Sequence, residues 1–451
     1  MLLFQKTAKA IFRSIAFSLL ILAPFGWLQA DIFRILDEDK EALQCRIDLI
    51  QQAEREILLS YYIVNDDVLG NALFYLLVEA SQQRGVKVHL LVDAFRSRIA
   101  KPTIAYLEEN GVTVQVFNPG RLFKPRSITH RLHDKIFMTD ARSFITGGRN
   151  LKRDYYELGE TFNFTDRDVL VQGEAAVKEA RIHFFSIWNN RKLSFIRKTK
   201  KLTEKQRIQV RQQLKEAIEL LQRQNIIRLH TQTDWTNVPP TASPVFFEHD
   251  DFFVRKGNKM VETDIKDLRS TKAFIGLVNR AKHSIVFENA YVIPTRRWRN
   301  ALKKAAERGV SVRILTNSIA TNDVMIAQAA YLNQRKKLLK MGIELWEYRM
   351  HERTLHTKAG IIDDTISIVG SYNLHAVSQK WTTEVLAWVA DPDIARQHKA
   401  MMDKNLEYSI KIGPNNRPVL PGGITISKPP FNRRIKTFLA RYSLAYVFAL
   451  I

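Results

Sequence analysis

The sequence predicts an α/β protein made of two copies of one helix–strand unit. Three observations predict it. A sparse pattern, H-x-K-x4-D followed by G-x-x-N, occurs twice, as "HDKIFMTD" (133–140) with "GGRN" (147–150) and as "HTKAGIID" (356–363) with "GSYN" (370–373). The segments that precede each copy match in pattern and order. Both copies alternate helical stretches with short strands of Val, Ile and Leu, as a layered structure around a largely buried sheet requires.

The matching elements run in order. "AEREILLSYYIVNDD" (from Ala53) and "AKHSIVFENAYVIPT" (from Ala281) each read as a helix end followed by a hydrophobic strand. "QRGVKVHLLVD" (from Gln83) and "ERGVSVRILTN" (from Glu307) each read as a helix, a stop and a strand, with Gly85 and Gly309 suited to the left-handed cap that ends a helix. "ENGVTVQVF" (from Glu109) and "KMGIELWEY" (from Lys340) repeat the theme. "KIFMTD" with "SFITGG", and "KAGIIDD" with "SIVGS", read as two strands joined by a tight bend. Such a hairpin places the His at one strand's start beside the Asn past the other.

The motif residues suit a phosphate. Side chains two apart on a strand point the same way, so His133 and Lys135 share a face, as do His356 and Lys358. Asn150 and Asn373 arrive from the neighbouring segment. Each half then offers an imidazole, a cationic donor and a neutral amide for phosphoryl oxygens. Two imidazoles allow covalent catalysis: one neutral His attacks phosphorus, and the other, protonated, gives its proton to the leaving oxygen. Lys, Asn and His carry the electrostatic load, so we expect no metal and no cofactor. A metal site would bring further ligands at short spacing; the nearest extra histidines, His130 and His351, do not recur between the halves and read as incidental.

Charge and the remaining segments frame this chemistry. The chain of 451 residues carries a net charge of +23, which draws it to nucleic acid, acidic phospholipid or a phosphorylated substrate without choosing among them. Its single cysteine, Cys45, excludes an intrachain disulfide and a Cys-rich metal site, and reads as a buried small side chain. Residues 1–30 run from a basic flank (Lys6, Lys9, Arg13) through an apolar stretch to a small residue. That order predicts a signal peptide or an N-terminal membrane anchor, hence export to a bacterial cell envelope, in membrane-associated, periplasmic or secreted form. Residues 191–230 hold twelve Lys or Arg against three Glu, and Ile208, Leu214, Ile218 and Leu221 recur there at helical spacing. This basic insertion reads as a solvated linker helix or as a surface facing acidic lipid. In the tail, Arg433, Arg434, Lys436 and Arg441 interleave with Phe431, Ile435, Phe438, Leu439 and Tyr442, as in a membrane-interface helix or a helix docked on the core.

With both motifs intact, the chain resembles the phospholipase D superfamily, and within it the bacterial cardiolipin synthases of the C type. "YYIVNDDVLG" (from Tyr61), "DRDVLVQG" (from Asp166), "LTNSIATNDV" (from Leu315) and "GSYNLHAVSQKWTTEV" (from Gly370) carry the closer likeness. The resemblance implies two pseudo-symmetric α/β/α domains that share one interfacial active site. The likeness covers roughly residues 31–420; with the segments read from composition, the chain divides into 1–30, a first domain 31–190, the insertion 191–245, a second domain 246–410 and a tail 411–451. The resemblance also implies that His133 is the nucleophile and His356 the acid and then base, and that an acidic residue downstream orients each, here Asp168 and Glu384. It assigns Lys135, Asn150, Lys358, Ser371 and Asn373 to phosphate. It also groups Asp140 and Asp363 with the catalytic set, although we expect both to brace the fold. Gly148 departs from Ser371 and removes one hydroxyl from half 1.

The expected activity is phosphatidyl transfer on phosphatidylglycerol or phosphatidylethanolamine through a phosphohistidine, at a surface containing anionic lipid. Hydrolysis to phosphatidic acid uses the same residues. A nuclease would suit the positive charge, but the lipid-type motifs and the N-terminal segment oppose it. A catalytically dead scaffold would not keep both motifs.

Overall fold

The structure is a computed structural model and describes residues 31–118, 130–191, 193–197, 199–250, 253–256, 259–262, 268–350, 352–419 and 429–443. The expectations for residues 1–30 and for His351 lie outside these residues. Among the described residues no helix is long and apolar enough to cross a membrane.

Two eight-stranded mixed sheets carry the same strand order. From edge to edge the first runs Ile32–Leu36, Asp168–Gln172, Ser143–Gly147, Lys135–Thr139, Glu56–Tyr61, Lys87–Asp93, Val112–Phe117 and Ser194–Ile196. The second runs Phe246–Asp250, Glu384–Ala390, Ile366–Gly370, Lys358–Ile362, Ser284–Asn289, Ser311–Asn317, Glu344–Tyr348 and Ser409–Ile412. The three strands that follow helices pair in parallel, and the motif hairpins pair antiparallel beside them. Gly85 and Gly309 both take left-handed backbone, with φ of 69° and 83°, at the ends of their helices.

One core lies outside the first sheet, under helices Asp39–Gln52 and Val68–Arg84, and its counterpart lies outside the second sheet, under Arg269–Arg280 and Arg296–Glu307. A third core joins the halves. Leu58, Ile136, Phe144 and Val171 of one sheet pack with Ala359, Ile361, Val369 and Val385 of the other, between helices Glu174–Trp188 and Pro392–Glu407.

The basic insertion is built into the first half. Helix Glu204–Arg223 opens on a capping box of Thr203 and Gln206, each bonding the other's backbone N–H. Val210, Leu214, Ala217, Ile218 and Leu221 enter the first core together with Trp235. Ile208, expected on that stripe, is exposed, and Val210 holds the inward position. The twenty-residue helix therefore packs on its domain instead of bridging two domains in solvent.

Asp140 and Asp363 explain the x4-D spacing. Each is the first central residue of a two-residue turn in which both central residues are left-handed, Asp140–Ala141 and Asp363–Asp364. This turn type matches the twist of a hairpin, and Asp tolerates the conformation. The Asp140 carboxylate accepts from the backbone N–H groups of Glu54, Arg55 and Glu56. Asp363 does the same with Lys282, His283 and Ser284. Both carboxylates sit at the far end of the strands from the histidines, which removes them from the catalytic set. Asp140→Ala should cost about 2–4 kcal/mol of stability by orphaning three donors, read as a lower urea midpoint. Turnover per folded molecule should not change; a large drop in it would return Asp140 to the chemistry.

Candidate active site

The two histidines reach one cavity because each approach segment pairs with the opposite half. Arg131 N donates to Trp381 O at 2.8 Å, Thr383 N donates back to Arg131 O at 3.0 Å, and His133 N donates to Thr383 Oγ1 at 3.0 Å. On the other side, Arg353–Leu355 pairs in parallel with Asn163–Thr165, and His356 N donates to Thr165 O at 2.7 Å. The cavity between them measures about 430 Å³. His133, Asn150, Tyr62 and Tyr155 line it from one half, and His356, Asn373, Tyr291 and Glu384 from the other.

Each imidazole is oriented by a carboxylate of the other half. His133 Nδ1 lies 3.0 Å from Glu384 Oε2. His356 Nδ1 lies 2.6 Å from Asp166 Oδ2. A carboxylate at Nδ1 holds the proton there and leaves Nε2 for the reaction. Aromatic edges fix the rings further: Tyr62 against His133, and Tyr155 and Phe164 against His356.

The partner of His356 corrects the sequence reading, which chose Asp168. The shared Val-Leu after Asp168 and Glu384 suggested that these two residues correspond. The strand register shifts the match by two: Gly147 pairs with Asp168, whereas Gly370 pairs with Leu386. Asp166 is therefore the counterpart of Glu384, and Asp168 that of Leu386. Asp168 is taken by Arg46, at 2.7 Å, and by Arg149, whose backbone N–H donates to it at 3.2 Å. The corresponding cluster in the second half is apolar, with Phe274, Tyr372 and Leu386 in one core.

The same register explains Gly148. A methyl group added there would sit 1.9 Å from Asp166 Oδ1. Glycine thus makes room for a short carboxylate that stands close to the strand. Ser371, at the equivalent place, donates its hydroxyl to Glu384 Oε2 and is fully buried. Ser371 was assigned to phosphate, but its hydroxyl is occupied in bracing Glu384.

The lysines stand behind the imidazoles, fully or almost fully buried. Lys135 Nζ donates to His133 O at 2.7 Å, and Lys358 Nζ donates to His356 O. Lys358 Nζ also lies 2.7 and 3.1 Å from the two His356 ring nitrogens. Asn150 Oδ1 accepts from Ile63 N at 3.1 Å, leaving Nδ2 buried without a partner among the described residues. Asn373 likewise keeps one amide atom unpartnered. Both amides line the cavity, so each retains hydrogen-bonding capacity for a ligand.

Burial and the paired cations set the electrostatics. Burial, then Lys135 and Lys358, hold the His133 imidazole well below its ordinary range; burial and the same two lysines do so for His356. Lys135 falls to about 7 through burial and the charge of Lys358. Lys358 falls to about 8 through burial, which nearby carboxylates oppose. Burial lifts Glu384 to about 7 against the pull of Lys135, and it also raises Asp166. Two imidazoles held neutral beside two buried lysines suit the cavity to an anion.

Sequence reading missed Asp166 and the aromatic walls. It also missed His375, which lines the cavity, stacks on Tyr291 and accepts from Ser378 N at 2.9 Å through Nδ1. Burial lowers His375 to about 4 and keeps it neutral. Its place two residues past Asn373 was the available signal. Among the described residues no group of three or more His, Cys, Asp or Glu is placed to hold a metal.

Known proteins resemble this chain in sequence and in fold. Cardiolipin synthase C of Escherichia coli is 26% identical over 398 residues, covering 78% of this chain and 79% of that protein. Cardiolipin synthase B of Salmonella typhi is 27% identical over 356 residues, covering 78% and 75%. The crystal structure of a phosphatidylserine synthase from Haemophilus influenzae superposes with a TM-score of 0.67 at 14% identity, covering 93% of this chain and 95% of that one. Residues 46–188 and 274–406 each match the family described as "Cardiolipin synthase, PLD-like domain". These two spans are the halves that exchange carboxylates across the cavity, and on them the chain belongs to the cardiolipin synthase family of phospholipase D-like domains.

Proposed function

We propose that the protein is a phosphatidyltransferase that works through a phosphohistidine, with a phospholipid as donor and an alcohol, such as the glycerol headgroup of a second phospholipid, as acceptor. One observation carries this: two imidazoles, each backed at Nδ1 by a carboxylate of the opposite half, converge on one cavity. The names of the relatives above support the lipid class.

His133 Nε2 attacks phosphorus as the bond to the leaving oxygen breaks, and His356 gives that oxygen its proton. The incoming alcohol then loses a proton to His356, attacks phosphorus and breaks the N–P bond. The order of roles is the one the family resemblance implies, and the carboxylates support it. Glu384 also accepts hydrogen bonds from Ser371 and Thr382, so it supports an imidazolium less. Asp166 accepts at 2.6 Å and favours a protonated His356 once an anion is bound. Lys135, Lys358, Asn150 and Asn373 stabilise charge on the phosphoryl oxygens as it grows.

Purified protein with labelled phosphatidylglycerol should give cardiolipin and free glycerol, with full activity in EDTA. Phosphatidic acid as sole product would make it a hydrolase. Strict dependence on a divalent metal would reject the scheme.

The pH dependence has a definite sign. kcat/KM should fall as pH rises through about 7 to 8, because Lys135 and then Lys358 lose their protons. It should also fall on the acid side as His133 takes up a proton and loses its nucleophilic lone pair. Lys135→Arg should move the alkaline limb upward, because a guanidinium stays charged. An unmoved limb would assign it to another group.

We also propose an envelope location, supported by the basic, apolar, small order of residues 1–30. Fractionation of cells expressing the full chain tests it.

A further inference from the structure

Helix Phe431–Ser443 is amphipathic in the reverse of the usual sense. Its inward face is polar or small. Thr437 and Ala440 are buried, Arg433 donates to the carbonyl oxygens of Ile319, Ala320 and Asn322, and Arg441 Nε donates to Asn333 Oδ1 at 3.0 Å. Its outward face is apolar. Phe431, Ile435, Phe438 and Tyr442 follow at helical spacing, exposed by 73, 42, 58 and 70%. Helices of water-soluble domains turn such a stripe to the core. A contiguous exposed stripe marks a contact surface. Exposed Arg434 and Lys436 flank it, and the next eight residues, LAYVFALI, carry no charge.

The helix is anchored at the mouth of the cavity. The three carbonyls that hold Arg433 belong to the loop that continues into Asp323 and Val324, both cavity-lining. Val324 is exposed at that rim. On the first half, exposed Phe95 precedes cavity-lining Arg96.

We propose that helix Phe431–Ser443 is an interfacial docking element that sets the cavity mouth on a bilayer containing anionic phospholipid. This inference rests on the phospholipid reading of the site. Charge complementarity selects the occupant: an apolar stripe edged with Arg and Lys matches an acidic lipid surface. A second copy fits poorly, because two chains of +23 each repel.

The full chain carrying Phe438→Cys provides the test. Cys45 is fully buried, so an environment-sensitive fluorophore goes to position 438. Vesicles of phosphatidylglycerol and phosphatidylcholine should shift its emission to the blue and allow quenching by nitroxide-bearing lipids; phosphatidylcholine vesicles should do far less. No shift on the anionic vesicles would overturn the proposal. A shift without vesicles that grows with protein concentration would assign the surface to a second copy and overturn it too. In a separate full chain, Phe438→Asp with Tyr442→Asp should lower turnover of vesicle phosphatidylglycerol by about tenfold or more, but that of monomeric short-chain phosphatidylglycerol by less than about twofold. Equal losses on both substrates would reduce the helix to a structural element. If the labelled chain shifts on anionic vesicles while the parent protein turns over no phospholipid in either form, docking stands and the transfer reading falls.

Discussion

His133→Ala should lower turnover by about 10⁴-fold or more, since it removes the nucleophile of the covalent step. His356→Ala should lower it by about 10²–10⁴-fold with a natural phospholipid, whose leaving alkoxide needs a proton. The two variants separate on an activated substrate. With phosphatidyl-p-nitrophenol the leaving group departs unprotonated. His356→Ala should then release one equivalent of nitrophenol in a burst and accumulate an acid-labile phosphorylated protein. His133→Ala should give no burst. The reverse result would exchange the two roles, and substantial activity in either variant on natural lipid would end the single-site scheme.

Gly148→Ala should lower kcat by about 10²–10³-fold, although position 148 touches no reacting atom. The added methyl group would stand 1.9 Å from Asp166 Oδ1 and 2.6 Å from its Cγ. The carboxylate must shift to relieve this contact, and the shift takes it away from His356 Nδ1. The damage should therefore be shared with Asp166→Ala. Starting from Asp166→Ala, adding Gly148→Ala should cost less than about threefold, a non-additivity expected of residues acting through one contact. Full additivity would mean that Gly148 matters for another reason, such as backbone geometry. A thermal midpoint near that of the parent would exclude simple unfolding.

Much of this architecture is legible in one dimension. The repeat of helix, glycine and strand predicts two like sheets, and the strand order is the same in both. The histidines, lysines and asparagines of the motifs do converge on one place. Contacts set by register were not legible. Asp166 and Asp168 lie on the same face of one extended segment, and only the pairing of Gly147 with Asp168 shows which one meets Ser371's counterpart. Ser371 offers a hydroxyl that composition cannot distinguish from a phosphate donor; its bond to Glu384 depends on a neighbouring strand. Tyr62, Tyr155 and Tyr291 carry no shared spacing or motif, because the wall they form comes from both halves. The insertion helix showed its stripe but not its host.

The crossed carboxylates bear on how such a chain diverges. A single-copy ancestor working as a two-fold dimer would hold two chemically identical imidazoles, each backed by the other subunit's acid. Any substitution would act on both at once. Joining the copies in one chain lifts that identity. Here one copy has Gly148 with Asp166, and the other Ser371 with Glu384, each a matched small-or-hydroxyl neighbour with its own acid. Because each acid serves the histidine of the other copy, a change confined to one repeat retunes the proton affinity of the opposite repeat's catalyst. Fusion thus allows the nucleophile and the proton carrier to become different acids while the backbone stays symmetric.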